Sequence, residues 1–448
     1  MEKVIEAVDH VVTEEMAQSL VRPYTEEEIR IALFQMHPSK VPGPNGMSPF
    51  FFFFFFFFFF FFKFWHIVGH DVTMAVLSFL CSGRYLQKMN FTHIVLIPKK
   101  NEPKYITDFC PISLGNIVSR IISKFLANRI KCILPNVIFD SQSAFVPNRS
   151  IIDNITVAYE MLHRMRNRRK GKTWHMVVKL DINKAYDRVE WEFLQRIMLK
   201  IGIPTQWVHL PMETVRTTSY SILINGEPTG FITPSRGIKQ GDPLSPYLFL
   251  LCAEGLSPLI IKAIENHHLK GVVSCNGGVK ISHLLFANDS LLFCETTTRE
   301  CKHLLDILAL YEGASGQAIN RQKTTLFFNP NTNQGVKLAI QNMLGAQIMT
   351  NRERYLGLPM VGEKSKVSTF REIQEWVTKR VIGWKEKHIS KAGREVMIKT
   401  VTQAIPTYSM SMFKFSKKIC DDIDSVLLQY WGGRLKMKEK SIESSHAS

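Results

Sequence analysis

Leu284 to Phe293 reads Leu-Leu-Phe-Ala-Asn-Asp-Ser-Leu-Leu-Phe, two apolar runs around residues that can turn tightly. The pattern predicts a β-hairpin that carries the carboxylate of Asp289 at its tip. Such a hairpin can hold Asp289 out of an apolar sheet toward a metal ion, although an Asn-Asp turn is also ordinary in any fold. A second strand-like run, Met176 to Leu180, ends in another carboxylate, Asp181. Two strands that each deliver an aspartate constrain the fold more than any other feature of the chain.

The charge balance narrows the partner. The 448 residues carry 56 Lys and Arg against 39 Asp and Glu, a formal charge of +17. An excess of that size on a chain that is 45% hydrophobic points to a polyanion, chiefly nucleic acid, or else to a protein that is basic without using it. The eight cysteines form no C-x-x-C pair and do not cluster with histidines, so neither a zinc site nor a disulfide scaffold is expected and the compartment reads as reducing. The first thirty or so residues lack the apolar core of a signal peptide, which places the chain in nucleus or cytoplasm, with no membrane partner.

Helix and strand signals alternate along the chain. Thr25 with Glu26, Glu27 and Glu28 resembles an N-cap before Ile29, Leu33 and Phe34. Phe50 to Phe62 is an unbroken run of thirteen phenylalanines, too short for a membrane helix and without a face that water could solvate. Phe64 to Tyr85 reads as helix. Ile94 to Pro98 reads as a strand that delivers Lys99 and Lys100 to a loop, suited to phosphate or simply to solvent. Helices are expected over 117–134, 151–165 and 191–201, and a strand and turn over Ser221 to Glu227. Arg236 to Pro243 is a basic, glycine-punctuated loop. Asp242 is expected to cap a helix that Pro243 opens and that runs to about Ile264. Beyond 330, Phe370, Ile373, Val377 and Val381 form one face of a helix ended by Gly383, and a second helix over 391–405 is stopped by Pro406. The domains read as an N-terminal helical extension over 1–90, a mixed α+β region over 91–329, a helical region over 330–435 and a disordered tail over 436–448.

Asp181 and Asp289, brought together beside Lys99, Lys100 and the 236–240 loop, offer oxygen ligands for two Mg²⁺ ions and positive charge for a phosphoryl group. That is the equipment of a metal-dependent nucleotidyl transferase or nuclease.

The motifs then become specific. Asp181-Ile182-Asn183-Lys184-Ala185-Tyr186-Asp187, the loop Arg236 to Pro246 with Gln240 and Gly241, and Phe286-Ala287-Asn288-Asp289 stand in the order of the palm motifs of a reverse transcriptase. With Ile94–Lys100, Pro111–Leu114, Gln142–Pro147, Ser315–Asn320, Tyr355–Pro359 and Gly393–Val396, the chain resembles the LINE-type, non-LTR retrotransposon polymerases of plants over about residues 20–435. The resemblance implies a right-hand architecture, with fingers and an antiparallel-sheet palm over 91–329 and a helical thumb over 330–435. It implies RNA-directed DNA synthesis with Mg²⁺ (Mn²⁺ as substitute), on an RNA template and a DNA primer, from dNTPs. Asp181 and Asp289 would bind metal, with the Ile182 carbonyl as a further ligand. Tyr186 would select deoxynucleotides, Gln240 and Gly241 would contact nucleotide and template, and Lys99 and Lys100 would lie near the triphosphate. Tyr355, Leu356 and Gly357 would grip the primer end; Lys323 is a weaker candidate for protonating pyrophosphate. The implied chain is a fragment of a mobile-element polyprotein, without its endonuclease or RNase H-like part.

Three positions depart from that pattern. The family hairpin has two adjacent aspartates; here Asn288 stands in place of the first, the principal ligand, and its amide lacks the full charge. Removing one strong charge interaction costs about 3 kcal/mol or more, so activity is expected to be impaired by orders of magnitude. Cys110 stands where an arginine is usual, and the phenylalanine run replaces a short mixed segment. The alternatives are a catalytically dead, nucleic-acid-binding relic of the same fold, and a chain that the phenylalanine run keeps from folding.

Overall fold

The structure is a computed structural model that describes residues 1–36, 44, 65–171, 173–273, 278–350, 353–360, 366–385 and 389–432. The phenylalanine run and the tail over 436–448 lie outside the described residues. The chain forms two compact units: 1–154 with 163–348, and 155–162 with 349–448.

The first unit is built on a five-stranded sheet. Its order is Gln347–Ile348, Thr325–Phe328, His175–Asp181, Asp289–Glu295, His283–Phe286. All neighbours are antiparallel except the outermost pair, Thr325–Phe328 with Gln347–Ile348. The middle strand explains itself from its sequence. Met176, Val177, Val178 and Leu180 are all buried, on both faces of the strand, and Lys179 between the last two is half-buried. Each such side chain contributes roughly 1.5–3 kcal/mol on burial. The strand's end, Asp181, is again half-buried.

A second, four-stranded sheet runs Phe109–Gly115, Phe91–Pro98, Ser219–Ile224, Glu227–Ile232. The Asn225-Gly226 turn joins its last two strands with both residues at positive φ, as that dipeptide favours. The fold is thus α+β, as the sequence predicts.

The three N-terminal helices Glu2–Ala7, Glu14–Val21 and Glu26–Phe34 are not a separate extension; Val4, Leu20, Ile29 and Leu33 belong to the core of the first unit. Thr25 caps the third of them, its hydroxyl accepting from the Glu28 amide. Arg129, on the long helix Ile117–Val137, ties them down. It donates to the Leu20, Arg22 and Pro23 carbonyls, pairs with Glu28 at 2.8 Å, and lies over the Tyr24 ring. Burial of that guanidinium is tolerable because its bonds go to carbonyls and a carboxylate at once.

Several sequence expectations need correction. The boundary near 330 falls instead after Ile348, because Gln347–Ile348 adds a strand to the main sheet. The helix expected from Pro243 to Ile264 is two helices, Ser245–Ala253 and Ser257–Glu265. Ser245–Glu265 is by length and composition apolar enough to cross a membrane, and in the fold most of it is buried. Asp242 accepts from the Leu244 amide and so stabilises the turn before the first of these helices rather than its N-cap.

The second unit has a core of Phe370, Ile373, Val377, Val381 and Trp384 against Phe415, Ile419, Ile423 and Tyr430. The first four are the predicted face. Gly383 does not end its helix, which continues to Lys385; Pro406 does not stop one either, since Ala404–Met410 runs through it. A proline is tolerated there because it lies in the helix's first turn, where no intrahelical donor is required.

Candidate active site

The two aspartates meet by register. The strands His175–Asp181 and Asp289–Glu295 pair antiparallel so that Asp181 and Asp289 stand directly opposite one another at the sheet's end. Side chains opposed in this way have Cβ atoms about 4.5–5.5 Å apart. The electrostatics agree. The Asp289 carboxyl is raised above the usual carboxylate range, first by burial and also by the Asp181 carboxylate, with Lys179 opposing. Two negative groups forced together favour a proton or a cation between them.

The hairpin differs in one respect from the sequence expectation. Phe286 pairs with Asp289, so the turn is only Ala287 and Asn288. Asp289 is therefore the first strand residue, and Asn288 occupies the tip. Ala287 takes a φ of 53°, a left-handed conformation that an L-residue adopts at some cost. What holds it is Gln142. Its fully buried side-chain oxygen accepts from the amides of Ala287 (3.0 Å) and Ala144 (3.0 Å). The same segment brackets Leu285, whose amide donates to the Ser141 carbonyl and whose carbonyl accepts from the Ser143 amide and the Asn154 side chain. Arg149 in turn fixes this segment by donating to the carbonyls of Pro135, Ile138, Phe139 and Gln142. The sequence marked Gln142–Pro147 only as a motif. A fully buried glutamine has no local sequence signature, so its role was not foreseen.

The turn after Asp181 is pinned to the chain that follows the helix Thr298–Ser315. The Asn183 amide donates to the Ala318 carbonyl and the Asn320 amide to the Asp181 carbonyl. Ile182 faces Ile319 across this bridge, and its own carbonyl takes no part in it. Lys323 lies exposed in the turn that follows Asn320.

The basic loop docks on the same turn. The Ile238 amide donates to the Tyr186 carbonyl and the Gly237 amide to the Val189 carbonyl. Gly237 sits at φ 87°, and a Cβ there would lie 2.7 Å from the Asp187 carbonyl oxygen, so the close approach requires glycine. The Tyr186 ring stacks on Phe249 at 5.3 Å, and its burial pushes the phenol up to about 12. The Gln240 carbonyl accepts from the Ser113 amide, and its side-chain amide reaches the Cys110 thiol at 3.1 Å. Gly241, at φ 94°, faces Ile112 and Ser113. The loop is thus clamped between the Asp181 turn and the strand Phe109–Gly115.

The two lysines part company. Lys100 is engaged, paired at 2.9 Å with Asp108, whose carboxyl is held down at about 2 by that lysine and two backbone amides. Lys99 donates to the Thr107 carbonyl and, with Lys184, opposes the burial that raises the Asp187 carboxyl. Lys239 is buried, bonded to the Asn90 side chain, and burial lowers its ammonium to about 8; it serves structure. Tyr355, Leu356 and Gly357 lie in the second unit. Leu356 and Gly357 form a two-residue turn, both at positive φ, and the Tyr408 hydroxyl donates to the Leu356 carbonyl.

Among the described residues no set of three or more His, Cys, Asp and Glu side chains converges as for a metal ion. What the site offers is two opposed carboxylates, those of Asp181 and Asp289. These are hard oxygen donors of the kind that suit Mg²⁺ or Mn²⁺ rather than zinc or copper.

Over residues 97–360 the chain matches the family described as reverse transcriptase (RNA-dependent DNA polymerase). It is 26% identical over 430 residues to the transposon TX1 uncharacterized 149 kDa protein of Xenopus laevis, a match covering 95% of this chain and 31% of that protein. It is also 26% identical over 292 residues to the retrovirus-related Pol polyprotein from the type-2 retrotransposable element R2DM of Drosophila melanogaster, covering 63% of this chain and 24% of the other. Among solved structures, telomerase from Candida tropicalis with a TWJ fragment of telomeric RNA aligns with a TM-score of 0.43 at 11% identity, covering 82% of this chain and 62% of that one. The chain spans less than a third of the length of these two curated relatives.

Proposed function

This chain belongs to the reverse transcriptase (RNA-dependent DNA polymerase) family, and on that premise we propose that it carries the polymerase centre of a non-LTR retrotransposon, with turnover impaired by Asn288. The observation that carries the proposal is the register that sets Asp181 opposite Asp289, with the basic loop docked on the adjoining turn. The partners we assign are an RNA template, a DNA primer and dNTPs, in nucleus or cytoplasm.

Asp181, Asp289 and the Ile182 carbonyl would hold divalent metal, Mg²⁺ in the cell. A divalent ion held there would supply Lewis-acid chemistry for a primer 3′-hydroxyl and positive charge for a pyrophosphate leaving group. The chain's own groups do the positioning. Asp181 and Asp289, fixed by the strand ladder, cannot move apart to relieve their repulsion, so they keep their affinity for cations. Tyr186, held by Phe249, presents a rigid ring against the sugar, and a 2′-hydroxyl would meet it. Gln240 and Gly241 are assigned to the nucleotide and template, and Lys99 would offer charge to the triphosphate. Tyr355, Leu356 and Gly357 are assigned to the primer end.

Asn288 supports a second reading, a relic that binds nucleic acid without turnover. Primer extension by the Asn288→Asp protein on an RNA template, with Mg²⁺ and dNTPs, tests the first. Extension abolished by a further Asp181→Asn change supports it. No extension, with salt-sensitive primer–template binding retained, leaves the relic.

A further inference from the structure

We propose that the outer stripe of the helix Lys366–Lys385 is a binding site for one unpaired nucleotide, whose base stacks on Trp376 and whose phosphate lies between Lys379 and Arg380. The proposal rests on the nucleic-acid reading above but adds a site that duplex binding does not need.

The stripe is a matter of helical spacing. Trp376, Lys379, Arg380 and Gly383 stand at i, i+3, i+4 and i+7, so they line one face. The core of the second unit uses the other face, through Phe370, Ile373, Val377, Val381 and Trp384. With Ile405 and the edge of Trp384 the stripe borders an open groove of about 550 Å³, inside the ~300–1,000 Å³ range of small-ligand sites.

Each residue there is unusual for a merely solvated face. Trp376 keeps 49% of its surface exposed. Its ring is braced by the Arg354 guanidinium, 5.3 Å from the centroid. Arg354 is itself held by Glu372 and by the Gly357 carbonyl, so the indole is fixed beside the 355–357 turn. Lys379 and Arg380 are exposed, and among the described residues neither is paired with a carboxylate. Gly383 is the most telling. Glycine inside a helix costs about 1 kcal/mol relative to alanine, yet a Cβ here would meet no atom within 4 Å. Neither packing nor a turn calls for it; its effect is to leave the groove open.

A flat ring, two exposed cations and a cleared floor match a base with its phosphate. Aromatic stacking accepts any base, so the site would be tolerant of sequence. A free anion would use the cations but gain nothing from Trp376.

The test is anisotropy titration of the full chain with a short labelled oligothymidylate and with a blunt RNA–DNA duplex, at several salt concentrations. Trp376→Ala is expected to weaken oligothymidylate binding by roughly 5- to 100-fold with the salt slope unchanged. Gly383→Leu, which favours the helix and fills the groove, should do the same. Lys379→Gln with Arg380→Gln should flatten the slope by about 0.7 for each phosphate no longer neutralised. Duplex affinity should stay within about twofold in the Trp376 and Gly383 variants. Oligothymidylate affinity unchanged in both variants overturns the site while leaving the polymerase reading intact, as does an equal weakening on duplex. A native protein that binds neither probe overturns both.

Discussion

The hairpin depends on one buried oxygen, and Gln142→Leu removes it. The Leu side chain fits a similar volume but accepts no hydrogen bond. The Ala144 and Ala287 amides, both now bonded to that oxygen at 3.0 Å, would be left without a partner. An intact hydrogen bond contributes only about 0.5–1.5 kcal/mol net, but an orphaned buried donor costs about 1–3 kcal/mol. Two orphans therefore cost about 2–6 kcal/mol. Part of that is recovered, because the native Gln142 side-chain nitrogen is itself buried without a partner and disappears too. We expect a net destabilisation of about 2–4 kcal/mol. It should be local first, since Ala287 is held at φ 53° and relaxes once released. Denaturant titration gives the global figure, and amide hydrogen exchange at Ala287 and Asn288 reads the hairpin directly. Gln142→Glu, which keeps the accepting oxygen, should retain more of the Ala287 protection. Native protection at Ala287 in Gln142→Leu would refute the argument that this oxygen fixes the tip.

Gly237→Ala should destabilise by about 1–3 kcal/mol through the clash with the Asp187 carbonyl and should uncouple the basic loop from the Tyr186 turn, seen as new protease cleavage near 236–241. His283, buried among Ser141, Ser257 and Ser282, has its imidazole lowered by burial to about 4. The unfolded chain takes up that proton between about 6.5 and 4 while the folded chain does not, so stability should fall as pH drops through this window by up to ~1.4 kcal/mol per unit, and less steeply in His283→Gln. Glu254 is the opposite case. Its carboxyl, one oxygen held by the Phe139 amide and the other without a partner, is raised by burial to about 8. Between about 4.5 and 8 only the folded chain keeps the proton, so stability falls as pH rises, and Glu254→Gln should flatten that limb of the denaturation midpoint.

Most of the first unit could be read from local signals. The alternating and continuous apolar runs marked the strands ending at Pro98, Asp181 and Phe286, and Gly202 ended the helix Trp191–Ile201 where expected, in a left-handed cap. What failed was punctuation overridden by tertiary packing. Gly383 and Pro406 lie inside helices because the second unit's core holds those segments. Residues 334–348 joined the first unit because Gln347–Ile348 found a strand to pair with, a long-range event that no window shows. At the site, Asp181 and Asp289 were legible because strand periodicity fixes which residue ends a strand. That the two converge was an expectation; that they do so by sharing one register position is what the ladder supplies. The supports, Gln142 and Arg149, act through backbone groups far away in sequence and so leave no pattern. Lys99 and Lys100 looked alike in sequence; only Asp108 distinguishes them.

Asn288 is central because it stands where a working metal hairpin would carry a charge. The most direct test is the single-turnover rate of primer extension on an RNA template, native protein beside Asn288→Asp, at saturating Mg²⁺ and dNTP. A restored carboxylate at the tip is worth about 3 kcal/mol or more in the transition state, so the variant should be faster by about 100-fold or more. Equal rates, with the native protein extending as fast as the variant, would contradict it.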